Sequence, residues 1–251
     1  MTSSESSAPA DDWFEAWFGK EYLELYPHRD EDEAERAVEL IVRCAGLPAG
    51  AAVLDLACGA GRHVEHLRDH GYHAFGLDLS LDLLRVARRD GLPVIRGDMR
   101  VLPVADASLA MVTSFFTSFG YFPEESDDEQ VLAEIRRVLA PGGLFAVDFL
   151  NADRVRDRLR PHDEVEIGRR RVVQTRELIE DGRVVQKRIE IFDMGQRTPR
   201  VFHERVRLYT AEELWAMLES NRMEPFASFG DYSGGPNLPQ APRVILIGRA
   251  R

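Results

Sequence analysis

Cysteine is scarce. The 251-residue chain has two, Cys44 and Cys58, with no C-x-x-C spacing, which excludes a disulfide framework and points to a reducing compartment. Long apolar runs are missing as well. None approaches the ~20 residues of a membrane helix, so no membrane partner is expected. The first eleven residues are polar and serine-rich, unlike a secretory signal peptide. Positive charge is also short: 32 Lys and Arg stand against 43 Asp and Glu, for a net charge of −11. That balance excludes nucleic acid as a partner, because phosphate binding needs a basic footprint. The imbalance is concentrated in positions 1–40, with twelve acidic and three basic residues. Such an arm reads as a solvated face. What remains reads as a soluble, cytoplasmic protein.

An apolar content of 44% supports a full core. The length suits one α/β domain with an insertion. Residues 1–11 read as a disordered tail. The aromatic stretch WFEAWF (13–18) predicts a short helix, EYLELY (21–26) a second, and Ala34 to Val42 an amphipathic third that starts near Asp30 and Glu33. Next, Val53 to Ala57 form a short buried-strand run, followed by Gly59-Ala60-Gly61 and a helical stretch. Strands at 73–78, 93–96, 109–115 and 144–149 alternate with helices. Ser80 is positioned to cap one of these helices, Ser126 with Glu129 another, and Pro141-Gly142-Gly143 to break the latter before its strand. The alternation predicts a doubly wound, mainly parallel sheet. From Glu164 to Tyr209 the period changes to two, with a turn at Asp181-Gly182, and predicts an antiparallel meander. Thr210 and Glu213 should cap a last helix, and two closing strands make the main sheet seven-stranded.

Strand, glycine turn and helix together bring backbone N–H groups and a positive helix terminus against a ligand. A dinucleotide turn would need a third glycine where this chain has Val64. An acid, Asp55, instead lies four residues before Gly59. Asp78 ends the second strand, where a carboxylate reaches both ribose hydroxyls of a nucleoside crossing the turn. Asp98 ends the third strand, placed to accept from an adenine amino group while Met99 packs on the ring. His63, His66 and His70 share one helical face, a spacing that suits zinc but is more often plain solvent. No metal is expected.

Together, the D-x-x-x-G-x-G of 55–61, Asp78, Asp98 and LAPGGLFAVDF (139–149) resemble a class I S-adenosylmethionine-dependent methyltransferase. TSFGYF (117–122) and the Tyr22/Tyr26 pair resemble its small-molecule branch, which includes sugar-amine N,N-dimethyltransferases and glycine N-methyltransferase. The resemblance implies S-adenosyl-L-methionine as cofactor and a small-molecule substrate, in a monomer or homodimer with a Rossmann-like core at 47–160 and 210–251. It also implies a helical lid at 12–46 and a substrate cap at 161–209. It carries cofactor contacts onto Tyr22, Tyr26, Asp55, Ala57, Gly59, Gly61, Asp78, Leu79, Asp98, Met99 and Phe115. Arg29 could meet the cofactor carboxylate or make a surface ion pair. Thr113-Ser114-Phe115 stand where metal-dependent relatives carry an acid. Acceptor contacts are expected from the meander, 117–122, Asp148 to Asn151, and 230–243. His203 and Tyr121 are the candidate bases. A site poor in bases suits an amine better than an alcohol. The alternatives are O-methylation and a non-catalytic cofactor-binding protein.

Overall fold

The computed structural model describes residues 12–26 and 31–251. The expected tail and Arg29 lie outside the described residues. Strands β1 (Ala52–Leu56), β2 (His73–Asp78), β3 (Val94–Arg96), β4 (Leu109–Ser114), β5 (Leu139–Leu150), β10 (Met223–Phe229) and β11 (Arg243–Ala250) form one sheet. Its order is β10-β11-β5-β4-β1-β2-β3, parallel except at β11, which runs antiparallel to both neighbours. Helices cover both faces, so β1 is buried along almost its whole length and reads as apolar without alternation.

The glycine turn fits because the next strand is notched. Gly76 of β2 lies under Cys58, and a Cβ there would overlap Cys58 Sγ and stand 2.6 Å from Cys58 Cβ. Cys58 N–H then reaches Leu77 O at 3.0 Å. From the turn, α4 (Arg62–Asp69) leads to β2, and α5 (Leu81–Arg89) leads from β2 to β3. Ser80 caps α5 through Leu83 N–H, as its position predicts.

Three local expectations are corrected. Helix α6 (Glu125–Val138) starts before Ser126, has no side-chain cap, and carries Glu125, Asp127 and Asp128 in its first turn. Those charges suit the helix N-terminus without a capping box. Pro141-Gly142-Gly143 do not separate helix from strand. Instead β5 begins at Leu139 opposite Leu109 and resumes register at Met111↔Leu144, with the irregularity between. A helix the sequence pattern did not suggest, α7 (Ala152–Arg158), follows β5, capped by Asn151 through the N–H groups of Asp153 and Arg154.

The second sheet is β6 (His162–Ile167), β7 (Arg170–Ile179), β8 (Val184–Asp193) and β9 (Arg200–Arg207), antiparallel in chain order. It is the expected meander. Helix α8 (Ala211–Ser220) follows, with the Thr210–Glu213 capping box formed. The N-terminal helices α1 (Trp13–Trp17) and α2 (Lys20–Leu25) lie against this second sheet, ahead of α3 (Glu31–Ala45). Trp13, Trp17 and Leu25 form one buried cluster with Val172, Ile189 and Ile191. Glu24 pairs with Arg170 and Glu21 with Arg200 at its edge. The aromatic helices therefore have an apolar surface of their own to cover, beyond the α/β core.

Gly76→Ala should destabilise the chain by about 1–3 kcal/mol through overpacking. Adding Cys58→Gly should recover about half or more of that loss. Urea denaturation of the single and double variants checks both; an unchanged Gly76→Ala midpoint would show that the notch is not required.

Candidate functional site

The turn between β1 and α4 is held open by three left-handed residues: Ala57 (φ 58°), Gly59 (φ 57°) and Gly61 (φ 92°). At Gly61 the positive φ favours glycine, and a Cβ there would press on Leu92 Cδ1 and Ala87 Cβ. Gly59 N–H donates to Asp78 Oδ2 at 2.8 Å, and Ser80 N–H donates to Asp78 Oδ1 at 2.7 Å. Each carboxylate oxygen keeps a lone pair. Burial raises the Asp78 carboxyl above its ordinary range, against the pull of these N–H bonds.

Gly59, Asp78 and Asp98 open on a cavity of about 600 Å³. Leu79, Met99, Phe115 and Tyr121 line it, with Trp13, Phe18 and Tyr22 above. Glu204 and Val206 of β9 line it from the second sheet. Ser80 joins its parts, because its hydroxyl donates to Phe18 O while capping α5. Asp98 is clamped by Arg100, whose Nη2 donates to Oδ2 at 2.7 Å and whose backbone N–H donates to Oδ1 at 2.8 Å. Burial pushes the Asp98 carboxyl up, but the Arg100 bonds outweigh it and hold it below the ordinary range.

After β4 the chain bends through two consecutive non-glycine residues in the left-handed region, Phe116 (φ 57°) and Thr117 (φ 63°). Both line the cavity. Asp148, 1% exposed, fixes them. It accepts from Phe116 N–H at 2.8 Å, Tyr232 Oη at 2.6 Å and Arg243 Nε at 2.7 Å. Arg243 Nη2 also donates to Thr117 Oγ1 at 3.1 Å. Backbone strain of this kind costs on the order of 1–3 kcal/mol per residue and persists where the surroundings impose it.

Several expected contacts stand off the wall. Asp55 lies beneath the turn, 1% exposed, accepting from Thr113 Oγ1 at 3.0 Å with His63 Nδ1 3.9 Å from Oδ2. It supports the turn and does not line the cavity. Gly61 shapes the turn from behind. Tyr26 turns towards Lys187, whose Nζ donates to its hydroxyl at 3.3 Å. His203 is corrected as a candidate base. Phe202 and Glu204 of β9 both meet Trp17, so the pleat sends His203 to the opposite face. Burial, and then Arg188, hold its pKa below the ordinary value. Asp148, Tyr232 and Arg243 act through Phe116 and Thr117 rather than on the wall.

Other wall residues were not anticipated. Arg62 and His63 line the cavity, and they simply continue the glycine motif into the first turn of α4. His63 stacks on Phe115 with ring centroids 4.1 Å apart, and His66 stands 3.6 Å from Glu31. Of the three histidines, only His70 is exposed. Glu204 carried no sequence signal, since alternation marks a face of β9 without saying what covers it.

Burial pushes Asp55 from its ordinary 3.8 to about 8, opposed by the Thr113 hydrogen bond. The folded chain thus keeps a proton that the unfolded chain releases, and its stability falls as pH rises between those values. Asp55→Asn, which cannot ionise, should gain thermal stability over the parent progressively from pH 4 to 8. A difference in melting temperature that stays flat with pH would contradict this.

Residues 53–143 match a methyltransferase domain family. The chain is 38% identical over 117 residues to a demethylmenaquinone methyltransferase of Renibacterium salmoninarum, covering 46% of this chain and 48% of that one. It is 34% identical over 129 residues to the dTDP-3-amino-3,4,6-trideoxy-alpha-D-glucopyranose N,N-dimethyltransferase of Streptomyces venezuelae, covering 49% and 53%. The chain thus spans about half the length of these curated relatives. Among solved structures, the sugar N-methyltransferase KedS8 of a Streptoalloteichus species aligns over 100% of this chain and 99% of its own, with a TM-score of 0.70 and 25% identity. The matched segment opens on the glycine turn and runs through the strands whose ends form the cavity floor. Residues 53–143 thus carry a methyltransferase domain, and the whole chain is similar in fold to a sugar N-methyltransferase.

Proposed function

We propose that this chain transfers the methyl group of S-adenosylmethionine to a small-molecule acceptor, and that the acceptor atom is an amine nitrogen. The observation that carries the reading is one cavity reaching from the glycine turn to the second sheet, with carboxylates at the ends of β2 and β3. Its volume of about 600 Å³ lies within the range of small-molecule sites.

The wall suits the cofactor. Asp78 offers two braced acceptor oxygens to a ribose, Asp98 offers acceptors beside it, and Leu79, Met99 and Phe115 supply apolar surface for a base. When bound, S-adenosylmethionine supplies a methyl group already activated on a sulfonium. The work left to the protein is to position the acceptor and exclude water. Trp13, Phe18 and Tyr22 do the second, as an aromatic cover anchored on the second sheet. We assign the segment 12–46 as the lid and 161–209 as the substrate cap on this basis.

The wall is poor in bases. Of its acids, Asp78, Asp98 and Glu204 each accept at least two hydrogen bonds from the protein, Asp82 pairs with Arg85, and Glu15 is exposed to solvent; His63 is stacked on Phe115. An alcohol needs a base to become nucleophilic, whereas an amine needs only to arrive neutral, which burial favours. Two relatives named as aminosugar N,N-dimethyltransferases, 33% and 34% identical, support the same choice.

Two expected outcomes follow from this reading. Asp78→Ala should weaken S-adenosylmethionine binding by about 2–4 kcal/mol, the scale of a lost charge-assisted pair. Calorimetry showing unchanged affinity would remove Asp78 from the site. With labelled donor and a panel of amines, sugars and phenols, methyl should appear on nitrogen. Tyr121→Phe should keep activity within about tenfold, since loss of a general base costs ~10²–10⁴. Methyl on oxygen, with turnover lost in Tyr121→Phe or His63→Gln, would replace the amine by a hydroxyl acceptor.

A further inference from the structure

Among the described residues, the second sheet gives the cavity only two side chains, Val206 and Glu204. A carboxylate is a costly group to set beneath tryptophans unless it is held and used. Glu204 is held firmly. Trp17 Nε1 donates to its Oε1 at 2.6 Å, from an indole that is itself 0% exposed. Lys187, its cross-strand neighbour on β8, donates from Nζ to Oε2 at 3.1 Å and also to Tyr26 Oη at 3.3 Å. One donor per oxygen leaves each oxygen an open lone pair. The side chain is thus fixed in direction by these two bonds and still able to accept.

The geometry points to Glu204 as the subsite that binds a cationic amino group of the acceptor. The assignment rests on the amine reading above and names a group that selects the acceptor: a non-reacting ammonium, separate from the neutral nitrogen that takes the methyl, with at least two N–H donors and small enough to sit under Trp13 and Phe18. The aromatic neighbours favour the same ligand, because ring faces attract cations where water is excluded. Lys187 plays two parts. It orients the carboxylate, and its positive charge competes with the ammonium, so only a ligand that also fills the aromatic cover is retained. Trp17, Glu204, Lys187 and Tyr26 link acceptor binding directly to the segment that covers the cavity.

Trp17 reports on this subsite by itself. The chain has three tryptophans, so its indole N–H signals in a ¹⁵N-labelled sample are few and Trp17→Phe assigns the one of interest. Titrating the full chain with benzylammonium at pH 7 should shift the Trp17 indole signal saturably, while the isosteric benzyl alcohol should not. Glu204→Gln should weaken benzylammonium at least about tenfold, the scale of one charge-assisted bond. Lys187→Met should tighten it about threefold by removing the competing cation. A merely structural Glu204 would weaken in both variants alike. Equal shifts from benzyl alcohol, no saturable shift from benzylammonium, or indifference of Glu204→Gln overturns the proposal. S-adenosylmethionine affinity, measured by calorimetry on the same samples, keeps the two readings apart. Loss of donor binding in the parent chain would remove the methyltransferase reading. Donor binding without the ammonium response would remove only Glu204.

Discussion

The site depends on one close approach. Cys58 sits directly over Gly76, and the missing Cβ on β2 lets the turn after β1 drop far enough for Cys58 N–H to bond Leu77 O. With the turn seated, Gly59 N–H faces Asp78, and the carboxylate at the end of β2 is fixed by backbone rather than by another side chain. Any side chain at Gly76 would lift the turn off the sheet. A methyl-sized error there would propagate into the acid on the cavity wall, because interiors are packed too densely to absorb it.

A second constraint acts at the other sheet edge of the cavity, and it is electrostatic. Phe116 and Thr117 adopt backbone conformations that they would leave if freed. Asp148 and Arg243 hold them with a nearly buried, fully hydrogen-bonded ion pair, and Tyr232 adds a third bond to the same carboxylate. Removing one partner of such a pair would leave an uncompensated buried charge, so the pair behaves as a unit. The ion pairs of Glu21 and Glu24 with the second sheet are different in kind. They lie at a solvent-exposed rim, where such pairs contribute little singly.

Between these fixed ends, the cavity is closed by elements that do not belong to the main sheet. The aromatic helices bury Trp13 and Trp17 against β7, β8 and β9 and present Phe18 and Tyr22 to the cavity. The two walls of the cavity thus come from separate layers. One is set by strand ends and glycine geometry, the other by side-chain packing between two short helices and a meander.

The local structure of the strand-end side was legible in the residues. Strand runs, caps at Ser80 and Thr210, the glycine turn and the acids at strand ends follow from short-range propensity, and they appear in the structure at the expected positions. Helix α7 was missed although Asn151 is an ordinary cap, because a seven-residue polar helix has too little apolar periodicity to stand out. Pro141-Gly142-Gly143 misled for a similar reason: the sequence shows residues that interrupt regular structure, but pairing with β4 carries the strand through them. Composition and pattern alone determined an acidic α/β chain with a glycine turn between its first strand and helix and an antiparallel insertion. Only the tertiary structure decided which residues meet in the cavity. It sent Asp55 beneath the turn and His203 to the far face of β9, and it brought Glu204 inward. The physical reason is that period-two alternation fixes which residues share a face, while the face that is covered depends on helices more than 150 positions away in the chain.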